Sequence, residues 1–395
     1  MCNFAGYLIQ CQPMQKINLF LPFVLIFTFS VSTLANNDTI PEKNKSLEIH
    51  ASYTGDILTN VVGGIQQKTA YLGMLNLEIN LNTTYANWWK GGNFYVKATN
   101  THGESPSANI IGDLQTVSNI EAGNHTFLQE AWFSQSVSNL NIIFGLQDLN
   151  KEFAVTKYGS SFINSSFGII PTISCNLNAP IFPLTSVGVT LKWEINEKLS
   201  WLNAIYDGEP TDFAENPFNT NWQLHANDGL LAISEVQVND NKPLPATYKI
   251  GLYNHGHSLS KLIYKNPPTI THNSWGAFAY ADKNAWKKNN QSFGLFAQAG
   301  YEFSAKSNCK MYLGGGFNLS GLIKKDGSDL IGLAIAYAKL EENKQNETAI
   351  EFTCHFPLND YLYIQPDIQY IINPSGIDRN LPNSLAGIIR IGAQL

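Results

Sequence analysis

In the segment Leu75-Asn76-Leu77-Glu78-Ile79-Asn80-Leu81, apolar and polar residues alternate without a break, and the same period of two recurs in weaker form down to Leu395. Successive side chains of a strand point to opposite faces, so each such segment carries one apolar and one polar face. When these segments fill a chain that opens with an export signal, a closed antiparallel barrel in an outer membrane satisfies both faces, with lipid outside and water inside. The pattern predicts a pore rather than an enzyme.

The export signal is the apolar run LFLPFVLIF within 17–31, preceded by Lys16 and followed by the small residues of Ser32-Thr33-Leu34-Ala35. It falls short of the roughly 20 apolar residues a spanning helix needs, so the reading is a cleaved leader over 1–35, with Met14 as an alternative start. Residues 36–395 then form one barrel domain. Cleavage leaves Cys175, Cys309 and Cys354, an odd set with neither metal-ligand spacing nor the density of a disulfide framework. The whole chain carries net charge −6 and loses Lys16 with the leader, which argues against nucleic acid as a partner.

Period-two segments fall near 47–56, 71–81, 94–101, 126–136, 140–147, 187–195, 200–207, 228–238, 246–255, 274–282, 292–303, 309–321, 329–340, 347–357, 360–371 and 385–395, an even number of strands as in bacterial barrels. Aromatic residues make up 12% of the chain, which suits girdles at the two interfaces, and Trp88-Trp89 fits one of them. The phase puts Val187, Val189, Leu191, Trp193 and Ile195 toward lipid and Thr190, Lys192 and Glu194 toward the lumen. It likewise puts Ile389 and Ile391 outward and Arg390 inward. Gaps after odd-numbered strands are mostly long and those after even-numbered ones mostly short, as alternating outer loops and periplasmic turns require; Lys324-Lys325-Asp326-Gly327 reads as such a turn. The longest gap, 148–186, is too long for an idle connection and is expected to fold into the lumen.

Particular runs resemble a known family. Asn100-Thr101-His102-Gly103-Glu104-Ser105-Pro106-Ser107 and Gly112-Asp113-Leu114-Gln115-Thr116-Val117-Ser118-Asn119-Ile120-Glu121-Ala122 are similar to the second-loop region of the carbohydrate-selective porins of the OprB family. So are Phe162-Ile163-Asn164-Ser165-Ser166-Phe167-Gly168, Ala204-Ile205-Tyr206-Asp207-Gly208-Glu209-Pro210, Asp329-Leu330-Ile331-Gly332-Leu333-Ala334 and the stretch from Ile364 to Pro374. The resemblance implies an all-β, sixteen-stranded outer-membrane barrel that passes sugars by diffusion. It also implies an eyelet of arginines and acidic residues. Here the chain departs from the family, because its arginines are Arg379 and Arg390 alone and Phe144-Gly145 stands where an arginine is expected. Lysine supplies a point charge without the planar fork of arginine.

Strand phase turns Lys97, Thr99, Glu130 and Trp132 into the lumen, and Asp148, Lys151, Glu152, Asn164 and Ser165 lie in the third loop. These residues are the candidate pore and sugar contacts; the alternative for each is a solvated loop or rim position. His255-Gly256-His257 reads as a solvated outer-loop turn rather than a metal site, and Gly314-Gly315-Gly316 as a close approach or kink within a strand. No serine sits in a nucleophile motif with a matching base, so no enzyme, cofactor or metal is expected. The expected partners are mono- or oligosaccharides and outer-membrane lipid, with homotrimer and monomer both open. A general porin and a soluble exported sugar-binding β protein are the competing readings.

Overall fold

The computed structural model describes residues 45–395 apart from 223, 225–228, 241, 259–270, 325, 341–344, 378 and 379. The expected leader over 1–35, Lys325 and Arg379 thus lie outside the described residues. Among those described, sixteen strands follow one another: β1 (Leu47–Val62), β2 (Thr69–Asn82), β3 (Gly92–Gly103), β4 (His125–Val137), β5 (Leu140–Gln147), β6 (Ser186–Asn196), β7 (Leu199–Asp207), β8 (Leu230–Asp240), β9 (Ala246–Ser258), β10 (Thr271–Lys288), β11 (Gln291–Glu302), β12 (Cys309–Ser320), β13 (Leu330–Leu340), β14 (Glu347–Pro357), β15 (Leu362–Ile372) and β16 (Ser384–Gln394). Each strand pairs with its neighbours in the chain, and β1 pairs with β16 to close the barrel. At that seam Asp56 stands opposite Arg390.

The alternation maps directly onto the two faces. Leu75 and Leu77 are 47% and 46% exposed on the lipid side, whereas Asn76 between them is 5% exposed. Trp88 and Trp89 stack at 6.0 Å beside the β2–β3 turn, and Trp275 stacks on Phe303 at 4.4 Å on the opposite rim, so both interfaces carry aromatic rings.

All sixteen expected strands are present, and β1 and β10 extend six residues beyond the C-terminal end of their pattern. In β10 a bulge between Asn284 and Trp286 reverses the phase, leaving Asn284 buried and Trp286 exposed. A period-two reading therefore stops at 282, although the strand continues to Lys288 and the turn shrinks to 289–290. A bulge between Asn60 and Val62 does the same at the end of β1. His255-Gly256-His257 lies within β9 rather than in a loop, and the buried ring of His255 meets the Gly208 carbonyl through Nε2 at 2.5 Å.

The apolar core lies inside the barrel, contrary to a simple water-filled tube, because the second loop (104–124) and the third loop (148–185) both fold into it. Ile110, Ile111, Val117 and Ile120 of the second loop join Phe153, Phe162, Ile163, Phe167 and Ile170 of the third against Phe296, Tyr312 and Ala334 of the wall. Burying each such large side chain is worth about 1.5–3 kcal/mol and works against the ordering of the loops, which costs about 1–2 kcal/mol per residue. The wall makes room for one such side chain at Gly332 in β13, where an added Cβ would stand 2.8 Å from the Phe162 ring. At Gly316 in β12 an added Cβ would stand 2.5 Å from the Leu333 carbonyl oxygen and 2.8 Å from the Phe296 ring, which explains one glycine of the Gly314-Gly315-Gly316 run as a close approach.

Candidate functional site

The third loop holds its shape through local caps. The Asp148 side chain accepts from Asn150 N at 2.9 Å and caps the turn Leu149–Lys151; the Asn164 side chain accepts from Ser166 N at 3.1 Å and caps Ser165–Phe167. Pro171 opens the short helix α1 (Pro171–Ser174), where a missing N–H costs nothing.

Carboxyl groups of the wall then fix both loops by taking their backbone N–H groups, often in consecutive pairs. Glu351 on β14 accepts from Ile163 N at 2.6 Å and Asn164 N at 2.9 Å. Glu347 accepts from Leu114 N, Gln115 N and Ser375 N at 2.8, 2.9 and 2.7 Å. Asp282 on β10 takes Lys157 N and Tyr158 N, both at 3.1 Å, and Glu235 on β8 takes Ala154 N at 2.8 Å. The loops also bond to each other, Asn119 N to the Ile163 carbonyl and Ser165 N to the Thr116 carbonyl, each at 2.9 Å.

What stays open is a cavity of about 600 Å³ on the β16-to-β4 side, bounded by Thr54, Met74, Lys97, Gln129 and Arg390 of the wall and by parts of both loops. Another hollow of about 640 Å³, between Val189, Ile205, Leu252 and Trp275, lies on the lipid-facing surface.

Of the candidate contacts, Lys97, Asp148, Lys151 and Ser165 line the cavity. Glu130 is almost fully buried and sits behind it, 3.8 Å from Lys151 Nζ and accepting from Trp132 Nε1 at 3.2 Å. Trp132 stacks on Tyr95 at 4.9 Å, and the Tyr95 hydroxyl donates to Glu78 at 2.8 Å. Lys97 Nζ lies 3.7 Å from Glu78, so these residues make one charged and aromatic patch. Glu152 is ion-paired with Lys192 and is absent from the cavity lining. Asn164 is fully buried, and its amide donates to Gln369 at 3.1 Å, so it secures the loop to the wall.

Sequence phase missed Gln129. A bulge at Lys97/Ala98 leaves Gln129 without a ladder partner, so both it and Glu130 are buried. Its amide donates to Asp148 at 3.2 Å. Burial raises the Asp148 carboxyl above the usual carboxylate range. In the second loop burial pushes Glu121 up to about 7 despite the Ser107 N–H it accepts, and likewise raises Asp113. Arg390 is committed: its Nε and Nη2 meet the two oxygens of Asp56 at 2.7 and 2.8 Å, and Nη2 also reaches Asn119 at 2.8 Å. Gly145, at the place expected for an arginine, has φ +134°, and a Cβ there would lie 2.4 Å from the Ala131 carbonyl oxygen.

The profile of the family described as carbohydrate-selective porin, OprB family, matches residues 66–395. No curated protein matches the sequence. Among solved structures, the high-pH structure of Pseudomonas putida OprB superposes with a TM-score of 0.79 at 17% identity, covering 89% of this chain and 94% of that one. The outer membrane channel DcaP of Acinetobacter baumannii superposes with a TM-score of 0.54 at 9% identity, covering 88% and 97%. OmpT of Vibrio cholerae, in its trimer form, does so with 0.51 at 8% identity, covering 88% and 99%. At these identities the structures establish the sixteen-stranded fold, and the profile establishes the lineage: the chain belongs to the OprB family of carbohydrate-selective porins.

Proposed function

We propose that this outer-membrane porin passes sugars by passive, weakly selective diffusion, and that Lys97, Asp148, Lys151 and Ser165 form its eyelet, with Glu130 and Trp132 as supports. The observation that carries this reading is the cavity of about 600 Å³ between the two inserted loops and the β16-to-β4 wall, a volume within the range of about 300–1,000 Å³ typical of small-molecule sites. A hydroxyl-rich solute there exchanges water for wall hydrogen bonds, each of small net value, so it binds weakly and leaves again. Nothing in the passage requires a chemical step, and a channel is the activity that the family and the fold support.

A general porin is the second reading, favoured by the pairing of the cavity's charges. Lys97 is held by Glu78, Lys151 by Glu130, and Arg390 by Asp56, so no planar guanidinium fork is available from the described residues to grip two hydroxyls. Single-channel conductance in a planar bilayer separates the two. Saturable reduction of the current by glucose or an oligosaccharide supports the sugar-binding eyelet, and conductance indifferent to sugar leaves a general porin. The size of the detergent-extracted particle decides between homotrimer and monomer.

A further inference from the structure

Two of the three cysteines that follow the proposed leader, far apart in sequence, meet where the third loop touches the wall. Cys175 ends α1 and Cys309 opens β12. Hydrogen bonds of side-chain amides cross between the two segments in both directions. Asn176 Nδ2 donates to the Cys309 carbonyl at 2.7 Å and Asn176 Oδ1 accepts from Cys309 N at 2.9 Å, while Asn308 Nδ2 donates to the Cys175 carbonyl at 2.7 Å. Cys175 packs against the small buried cluster of Cys309, Ala338 and Leu340. Cys354 is elsewhere, on the lipid-facing side with Phe352 and Ile368.

We propose that Cys175 and Cys309, both thiols in this structure, are a disulfide site that staples the third loop to β12. A bridge needs Cα atoms within about 7 Å and converging Cβ bonds; the crossed hydrogen bonds and the shared packing supply the closeness, and cross-linking reads the convergence. The oxidant is a disulfide of the exporting compartment, where such bonds persist. Cys175 is the more exposed sulfur, so its thiolate attacks that donor disulfide, forming a mixed disulfide and releasing one donor thiol. The Cys309 thiol then loses its proton and attacks the Cys175 sulfur, which forms the bridge and releases the second donor thiol. One donor disulfide is reduced to two thiols as the two cysteines are oxidised. Ser174 and Cys175 both border the cavity, so the bridge fixes a piece of the channel wall rather than a remote surface.

The test uses full-length protein taken from outer membranes with an alkylating agent present at lysis, followed by unfolding, digestion without reductant and mass spectrometry. The expected result is a linked peptide pair containing Cys175 and Cys309, lighter by two hydrogens than the separate peptides, with Cys354 alkylated. Cys175→Ser and Cys309→Ser should each abolish the pair, and Cys354→Ser should leave it. Full alkylation of Cys175 and Cys309 in membrane-derived protein overturns the proposal. Linkage of either one to Cys354 overturns it as well. Folded protein treated with oxidised glutathione is the second measurement: if it still yields no linked pair, the geometry itself forbids the bridge. This inference rests on the path of the third loop and not on sugar selectivity, so either can fail alone.

Discussion

The two sides of the lumen use the same kind of residue for opposite ends. Along β8, β10 and β14, inward Glu235, Asp282, Glu347 and Glu351 each accept backbone N–H groups of an inserted loop. Along β16 and β1 to β4, the inward charges pair with each other across the cavity wall, as in Arg390 with Asp56 and Lys97 with Glu78. Polar alternation in the sequence is alike on both sides. Loops touch both sides, since Arg390 also reaches Asn119 and Gln129 reaches Asp148; what separates the sides is what the wall charges hold, backbone N–H groups of a loop on one and mainly opposite charges on the other.

The largest effect is expected where the open side carries a buried ion pair. Arg390→Ala leaves Asp56 charged and buried at the barrel seam, a change that costs about 3–5 kcal/mol when one partner of a buried pair is removed. Thermal unfolding in detergent should show the loss, and an unchanged midpoint would mean that the seam does not depend on the pair. Next comes the anchoring side. Glu351→Ala removes the acceptors of Ile163 N and Asn164 N, about 1–3 kcal/mol for each buried donor left unsatisfied. The expected outcome is a barrel that still forms, with higher and noisier single-channel current as the third loop loosens. Quiet wild-type conductance would show that the apolar contacts alone hold the loop.

A smaller effect distinguishes a residue that faces the solute from one that holds the fold. The Lys151 side chain is half-exposed and 3.8 Å from Glu130, so Lys151→Ala should change stability by about 1 kcal/mol or less. It should nevertheless shift the reversal potential toward cations, because a positive charge leaves the cavity wall while Glu130 remains. An unchanged reversal potential would remove Lys151 from the eyelet.

Much of this was legible in the sequence because period-two alternation reports the fate of each side chain relative to lipid. Strand number follows from it, and the inward course of the third loop follows from the length of the gap between β5 and β6. The alternation does not report what lies against the inner face. Asn164 and Ser165 are neighbours with the same polar character, yet Asn164 bonds to Gln369 and Ser165 borders the cavity, a difference made by residues some 200 positions away. Bulges hid others: at Gln129 and beyond Asn284 an extra residue resets the phase, and a strict count of two misassigns the face. Cys175 and Cys309 carried no signal either, since their closeness exists only once the third loop is inside.

The smallest expected effect concerns pH and falls on the second loop, which belongs to both sides because Glu347 anchors it and its residue Glu121 borders the cavity. Burial holds the Glu121 carboxyl at about 7, against an ordinary value of 4.5. A carboxyl whose folded pKa is raised favours the folded loop most strongly below its ordinary value and loses that contribution as pH rises through the raised one. Burial raises Asp113 and Asp148 in the same direction. Between about pH 5 and pH 8 the cavity should therefore gain negative charge and the second loop should loosen, so cation preference and current noise should rise together. In Glu121→Gln the part of the step centred near 7 should flatten. If the variant keeps the full step, the titrating group lies elsewhere on the wall, and the open side is charged by its strands rather than by the loop laid across it.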